Sequence, residues 1–287
     1  MYYSLIIISV TMFGACFALQ DVYRKMRGSG IAISLESSLA GAAAGIVVLL
    51  AINGFHFELT PFTLFMAALS ALNGMAFTFC SFKALDAINL SLFSLFSMLG
   101  GMVLPFVQGI AFYGEGITLA KIVCVIFICA ALALTVTRGE KKKGYVYYVG
   151  IFLLNGMSGV LSKIFTSASF EKTSAAWYSI WGAAFTIIFS GVALLIIRSR
   201  QKSAQPYTLR AFLVGASGGG INKIANFLLI IALAHVDASV QYPMVTGGVM
   251  IVSTLICFFG SRKPSRKEII SVALAFVGML ALFIIPI

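Results

Sequence analysis

The chain has 287 residues, of which 60% are apolar and only 10% charged, far from the roughly half-apolar, quarter-charged make-up of soluble domains. Such a chain needs lipid as its solvent, and its short connections leave no room for a separate catalytic or ligand-binding domain. The formal net charge of +11 does not point to nucleic acid, because the basic residues are scattered over several short loops instead of gathered on one soluble face.

A bilayer core about 30 Å thick takes roughly 20 apolar residues at 1.5 Å each. Runs of that length, bounded by charge, Pro or Gly, fall at 3–22, 31–52, 62–84, 88–112, 118–137, 146–167, 174–197, 209–234, 237–259 and 268–286. They predict an all-α integral membrane protein of ten transmembrane helices. The first run, MYYSLIIISV onward, lacks the positive n-region of a cleaved signal peptide and is expected to remain as helix 1.

Polar residues in the middle of a membrane helix are costly without partners, so each is read individually. On helix 2, Glu36 lies about 8 Å from the helix start at 1.5 Å per residue; it is a candidate for proton coupling, or pairs with a nearby basic residue. Gly41 and Gly45 further along allow a close helix approach. Asn73 in helix 3 and Asn155 in helix 6 reach mid-membrane depth, where an amide either meets a polar ligand or bonds a neighbouring helix. On helix 7, Trp177, Tyr178 and Trp181 lie near one interface; Trp177 reads as part of an aromatic belt and the deeper Trp181 as a candidate cavity wall.

Helix 8 carries the sharpest signal. Lys223 sits roughly 20 Å from the basic end of that helix at 1.5 Å per residue, deep enough to hold a substrate carboxylate or phosphate as a point charge. The other reading is that it snorkels or pairs with a structural carboxylate. Asn222 and Asn226, four apart, share an adjacent face. The run Ser217 to Gly220 precedes them and would either bend the helix or pack it closely. One turn into helix 9, Gln241 and Tyr242 reach a similar depth, with Pro243 next to them. Glu115, Glu171, Asp237 and His235 lie at the far interface, and Asp21, Asp86, Glu140 and Glu268 at the near one, all expected on solvated faces. Cys16, Cys80, Cys124, Cys129 and Cys257 fall inside spans, without metal spacing, as buried small hydrophobes. No cofactor is expected.

Sixteen of the twenty Lys and Arg residues follow odd-numbered helices or open even-numbered ones, so the positive-inside rule makes that side cytoplasmic and puts both termini outside. The expected location is the inner (plasma) membrane, with multiple passes.

Residues 84–136 and 232–284 repeat one order of features. Leu85 and Leu233, Ser91 and Ser239, Gly100-Gly101 and Gly247-Gly248, and Gly114 and Gly260 correspond at a shift of about 147 residues, and Asn73 and Asn222 nearly so. Residues 1–140 and 144–287 then form two five-helix repeats, and an odd number of spans inverts the second relative to the first. This order, with the small-polar start of helices 4 and 9 and the Gly114-Glu115 turn before helix 5, resembles the drug/metabolite transporter superfamily (DMT) in its ten-helix, EamA-like form. Gly260-Ser261 lacks the acid of that turn, and many relatives place their termini on the opposite side. The resemblance covers nearly the whole chain and implies a secondary transporter that works by alternating access around a midplane cavity, lined by helices 3, 6, 8 and 9.

No Walker loop is present, which argues against ATP-driven pumping. No nucleophile, base or metal ligands converge in the sequence as a membrane enzyme would need. Lys223 with several Asn side chains and Tyr242 favours a small-molecule substrate bearing a carboxylate, such as an amino acid or related metabolite. The alternatives are an organic cation or quaternary amine held by aromatic walls, and a receptor or scaffold that binds without flux. Membrane lipid surrounds the bundle; coupling to a proton and the choice between monomer and homodimer stay open.

Overall fold

The computed structural model describes residues 1–53, 56–87, 90–135, 145–200, 207–259 and 263–285. Among these residues ten helices follow one another: α1 (Tyr2–Arg27), α2 (Ile31–Ile52), α3 (Pro61–Ala87), α4 (Leu90–Tyr113), α5 (Leu119–Thr135), α6 (Tyr145–Ser167), α7 (Ala175–Arg200), α8 (Leu209–Leu233), α9 (Ala238–Phe259) and α10 (Arg266–Ile284). They coincide with the ten apolar runs. Eight of them, all except α5 and α10, are long and apolar enough to cross a membrane among the described residues, the make-up of a multi-pass membrane protein.

The helix ends follow local chemistry. α1 runs past its apolar stretch to Arg27 and stops at Gly28, whose φ of 98° few other residues adopt. Pro61 opens α3, where its missing N–H is no loss. Thr208 caps α8 by accepting the amide of Ala211 at 3.3 Å. Gly114, at φ 64°, turns the chain after α4 so that the amide of Glu115 donates back to the carbonyl of Gly109 at 3.1 Å. Gly260 and Ser261, the pair expected to match this turn, lie outside the described residues, as do the basic residues at 138–143, 202 and 262. The side chains of Ser91 and Ser239 also lie outside the description.

The packing is strongly paired. α1 packs on α8 and α9, and α6 packs on α3 and α4; α2 packs on α8, and α7 on α3; α2 also meets α7, α4 meets α9, and α5 meets α10. α2 and α8 approach closely at Gly41 and Gly219, where a methyl group added to Gly41 would lie 2.5 Å from the Cα of Gly219. The run from Ser217 to Gly220, expected either to bend α8 or to pack it, lies within one unbroken helix: Gly218 faces Leu19, Gly219 faces Gly41 and Gly220 faces Ala44. The small residues there let two helix backbones meet.

Charged ends tie the bundle together. At the end where α1, α3 and α7 finish, Arg24 bridges Asp21 and Asp86 at 2.9 and 2.7 Å, and Glu36 receives Arg27 at 2.9 Å and Arg198 at 2.6 Å. Arg27 also lies over the ring of Tyr207, whose hydroxyl is pushed above its ordinary pKa by burial. Asp86, expected on a solvated face, therefore ties α3 to α1, while Asp21 pairs with Arg24 and Lys25 of its own helix.

Candidate functional site: a cavity among the helices

Residues of α1, α2, α3, α4, α6, α7, α8 and α9 line a cavity of about 230 Å³. α5 and α10, which pack on each other, do not reach it. Of the residues singled out in the sequence, Lys223, Asn222, Asn226, Asn73, Asn155, Gln241 and Tyr242 all line this one space. Helices 3, 6, 8 and 9 were expected to form its walls; α1 and α2 contribute as well, through Cys16, Gln20, Tyr23, Ser37 and Ser38.

Lys223 is the one charged side chain among the described residues that line the cavity. Its stem runs over Gly45 of α2, where an added methyl would stand 2.7 Å from its Cγ. The second glycine of the α2 pair thus makes the slot for the lysine, while the first makes the helix crossing. No carboxylate among the described residues lies within ion-pair distance of Lys223, so it does not pair with a structural acid there.

The carboxamides are held by helix backbones. Asn73 Nδ2 donates to the carbonyl of Leu154 at 2.9 Å, joining α3 to α6, and Asn155 Nδ2 donates to that of Ser97 at 2.7 Å, joining α6 to α4. Gln241 Nε2 donates to the Leu229 carbonyl at 3.0 Å. Within α8, Asn226 Nδ2 donates to the carbonyl and to Oδ1 of Asn222, at 2.9 and 3.0 Å. Tyr242 is buried and donates its hydroxyl to the carbonyl of Gly159 at 2.9 Å. Beyond the cavity on that side, Met66, Leu161, Phe165, Tyr178 and Ile230 form an apolar cluster from four helices, and Tyr178 and Ser70 share a 2.5 Å hydrogen bond.

Two of the expected site residues stand elsewhere. Trp181 does not line the cavity: its indole donates to the carbonyl of Glu58 at 3.1 Å and packs against Phe57 and Trp177. Trp177 likewise turns to this loop and bonds the carbonyl of His56. Depth along a helix gives no rotation about it, and both rings clamp the α2–α3 connection. Glu36 is also off the cavity, held between Arg27 and Arg198.

One pair was not legible. Glu115, expected on a solvated face, has a side chain only 7% exposed and receives Lys163 of α6 at 2.8 Å. It also accepts the amide of Ala238 at the start of α9, at 3.3 Å. The burial arises because the Gly114 turn folds the carboxylate back against Gly109, which the spacing of charges does not reveal. Among the described residues no three His, Cys, Asp or Glu side chains converge as metal ligands would.

The fold and this cavity define a multi-pass helical membrane protein with a polar chamber set among its helices. No family model and no curated protein matches the sequence. A crystal structure of a protein 17% identical superposes over 96% of this chain and 97% of its own, with a TM-score of 0.66. That likeness shows the fold alone.

Proposed function

We propose that the chain is a secondary transporter of the drug/metabolite transporter type, which carries a small carboxylate-bearing metabolite, such as an amino acid or related compound, across the inner membrane by alternating access. The observation that carries this reading is Lys223. A charge inside a helix bundle without a counter-ion costs several kcal/mol, and a ligand carboxylate would supply the missing partner. The cavity lining has a lysine and, among the described residues, no Asp or Glu, which favours an anionic group over an organic cation.

The helix pairing supports the mechanism. Exchanging each helix of the first five for the one five places later turns α1–α9 into α6–α4, α1–α8 into α6–α3 and α2–α8 into α7–α3, and leaves α2–α7, α4–α9 and α5–α10 as they are. Principal pairings unchanged by this exchange are what two repeats, residues 1–140 and 144–287, would produce. With five spans in each, they would be inverted about an axis in the membrane plane, the arrangement that lets one cavity open alternately to either side.

The test is uptake into proteoliposomes, together with thermal stability of the purified protein against amino acids, nucleobases, organic acids and quaternary amines. A ligand that binds the native state raises the melting temperature. A carboxylate-bearing ligand is expected to do so, and Lys223→Ala to remove both its shift and its flux. Flux unchanged in that variant would sink the role of the lysine; binding without any flux would make the protein a receptor.

A further inference from the structure

The hydrogen bonds of the cavity amides fix which end of each faces the open space. Asn73, Asn155 and Gln241 each direct an NH2 group to a backbone carbonyl, of Leu154, Ser97 and Leu229 respectively. Asn226 directs its own to the carbonyl of Asn222. A backbone carbonyl only accepts, so the amide nitrogen must be the atom turned toward it. No donor within the protein is found for these four oxygens among the described residues. That of Gln241 is sealed from the space as well as unpartnered, which leaves the oxygens of Asn73, Asn155 and Asn226. Asn226 gives its NH2 to two acceptors of Asn222, so only its oxygen is left over, whereas Asn73 and Asn155 each keep a second N–H. Asn222 is oriented the other way: its Oδ1 accepts from Asn226, so its NH2, without an acceptor among the described residues, stands beside Lys223.

The cavity is therefore divided by polarity. One turn of α8 offers donors, the Lys223 ammonium and the Asn222 amide. One turn further along, Asn226 offers an acceptor alone, and Asn73 of α3 and Asn155 of α6 add their oxygens. Resting on the reading of this cavity as a substrate site, we infer that the carboxamide oxygen of Asn226, with those of Asn73 and Asn155, selects a ligand that carries a primary ammonium beside its carboxylate, so that the substrate is a zwitterion and not a simple carboxylic acid. A primary ammonium has three donors and no lone pair, one donor for each of these oxygens. A hydroxyl has a single O–H to give them, and a quaternary amine has no N–H at all. Asn226 stands one turn from Lys223, with about 5–6 Å between Cβ positions at that spacing, close enough for adjacent carboxylate and ammonium groups to engage both.

The test needs no variant at first. For each amino acid that stabilises the wild-type protein, titrations are run with its 2-oxo acid, its N-acetyl derivative and the amine left after removal of the carboxylate. Leaving buried acceptors unpaired is expensive, so the 2-oxo acid and the N-acetyl form are expected to bind at least about tenfold more weakly than the amino acid. A 2-oxo acid that binds within twofold of its amino acid overturns the inference and leaves the carboxylate reading intact. Carboxylate ligands of every kind that bind equally well to Lys223→Ala overturn the site reading itself. Asn226→Leu then separates the wall from general packing, because the Asn226 nitrogen bonds only within its own helix. The variant is expected to weaken the amino acid selectively and leave the 2-oxo acid unchanged; an equal loss for both ligands would count against the wall.

Discussion

At the scale of single residues, Gly45 matters as much as the lysine it faces. A Cβ at that position would stand 2.7 Å from Lys223 Cγ and 3.0 Å from its Cβ, so Gly45→Ala should push the ammonium off its line into the cavity. The expected result is a loss of roughly tenfold in ligand affinity, about 1.4 kcal/mol, with helix content unchanged by circular dichroism. Gly116→Ala, where an added methyl meets nothing within 4 Å, is the control and should bind as the wild type does. Lys223, Asn222, Asn226, Asn73, Asn155, Gln241 and Tyr242 were legible because a polar side chain at mid-membrane depth stands out against an apolar run. The cavity serines and threonines were not. Thr186 and Ser162 turn their hydroxyls back to the carbonyls of Gly182 and Ser158 in their own helices, at 2.7 and 2.9 Å, a habit of such residues anywhere in a helix. Trp181 was misread for a different reason: its depth is right, but its ring points at the α2–α3 connection, and rotation about a helix is set by neighbours the sequence does not name.

At the scale of elements, the α2–α8 crossing and the α4–α5 turn each rest on glycine. Gly219→Val would wedge a branched side chain against the backbone of Gly41, and overpacking of this kind costs about 1–3 kcal/mol; the check is a lowered melting temperature in detergent. The turn sets the Glu115–Lys163 pair, whose side chains are 7% and 11% exposed. Breaking a buried pair from one side leaves an uncompensated charge, at a cost of about 3–5 kcal/mol. Lys163→Met alone should therefore destabilise more than Lys163→Met combined with Glu115→Gln, in a double-mutant cycle read by thermal unfolding. The helices themselves were legible nearly to their ends, because an apolar run of membrane length has few other fates. α1 extends to Arg27, beyond the predicted 22, since charge ends an apolar run but not a helix; Gly28 does end it.

At the scale of the whole molecule, the two ends of the bundle are tied by different chemistry. One end holds the pairs of Arg24 with Asp86 and of Glu36 with Arg27 and Arg198; the other holds Glu115 against Lys163 and the start of α9, with the Tyr178 cluster beneath. Glu36→Gln should loosen the first end only. Cys16, a cavity residue whose thiol donates to the Gly218 carbonyl at 3.2 Å, reports the change: its reaction with a water-soluble maleimide, in a background without the other cysteines, should speed up several-fold. An unchanged rate would mean that these pairs do not close the cavity. The pairing of helix with helix was legible only as an expectation of two repeats, because weak internal similarity gives an order of elements and not their contacts. The touching backbones at Gly41 and Gly219 also set a fulcrum. Lys223 lies four residues from it, roughly 6 Å along α8, whereas Leu233 lies fourteen residues away, roughly 21 Å at 1.5 Å each. A tilt of about 10° around that point would swing the far end of α8 by about 4 Å and the ammonium by only about 1 Å, so the end of the helix can move while the charge in the cavity stays nearly still.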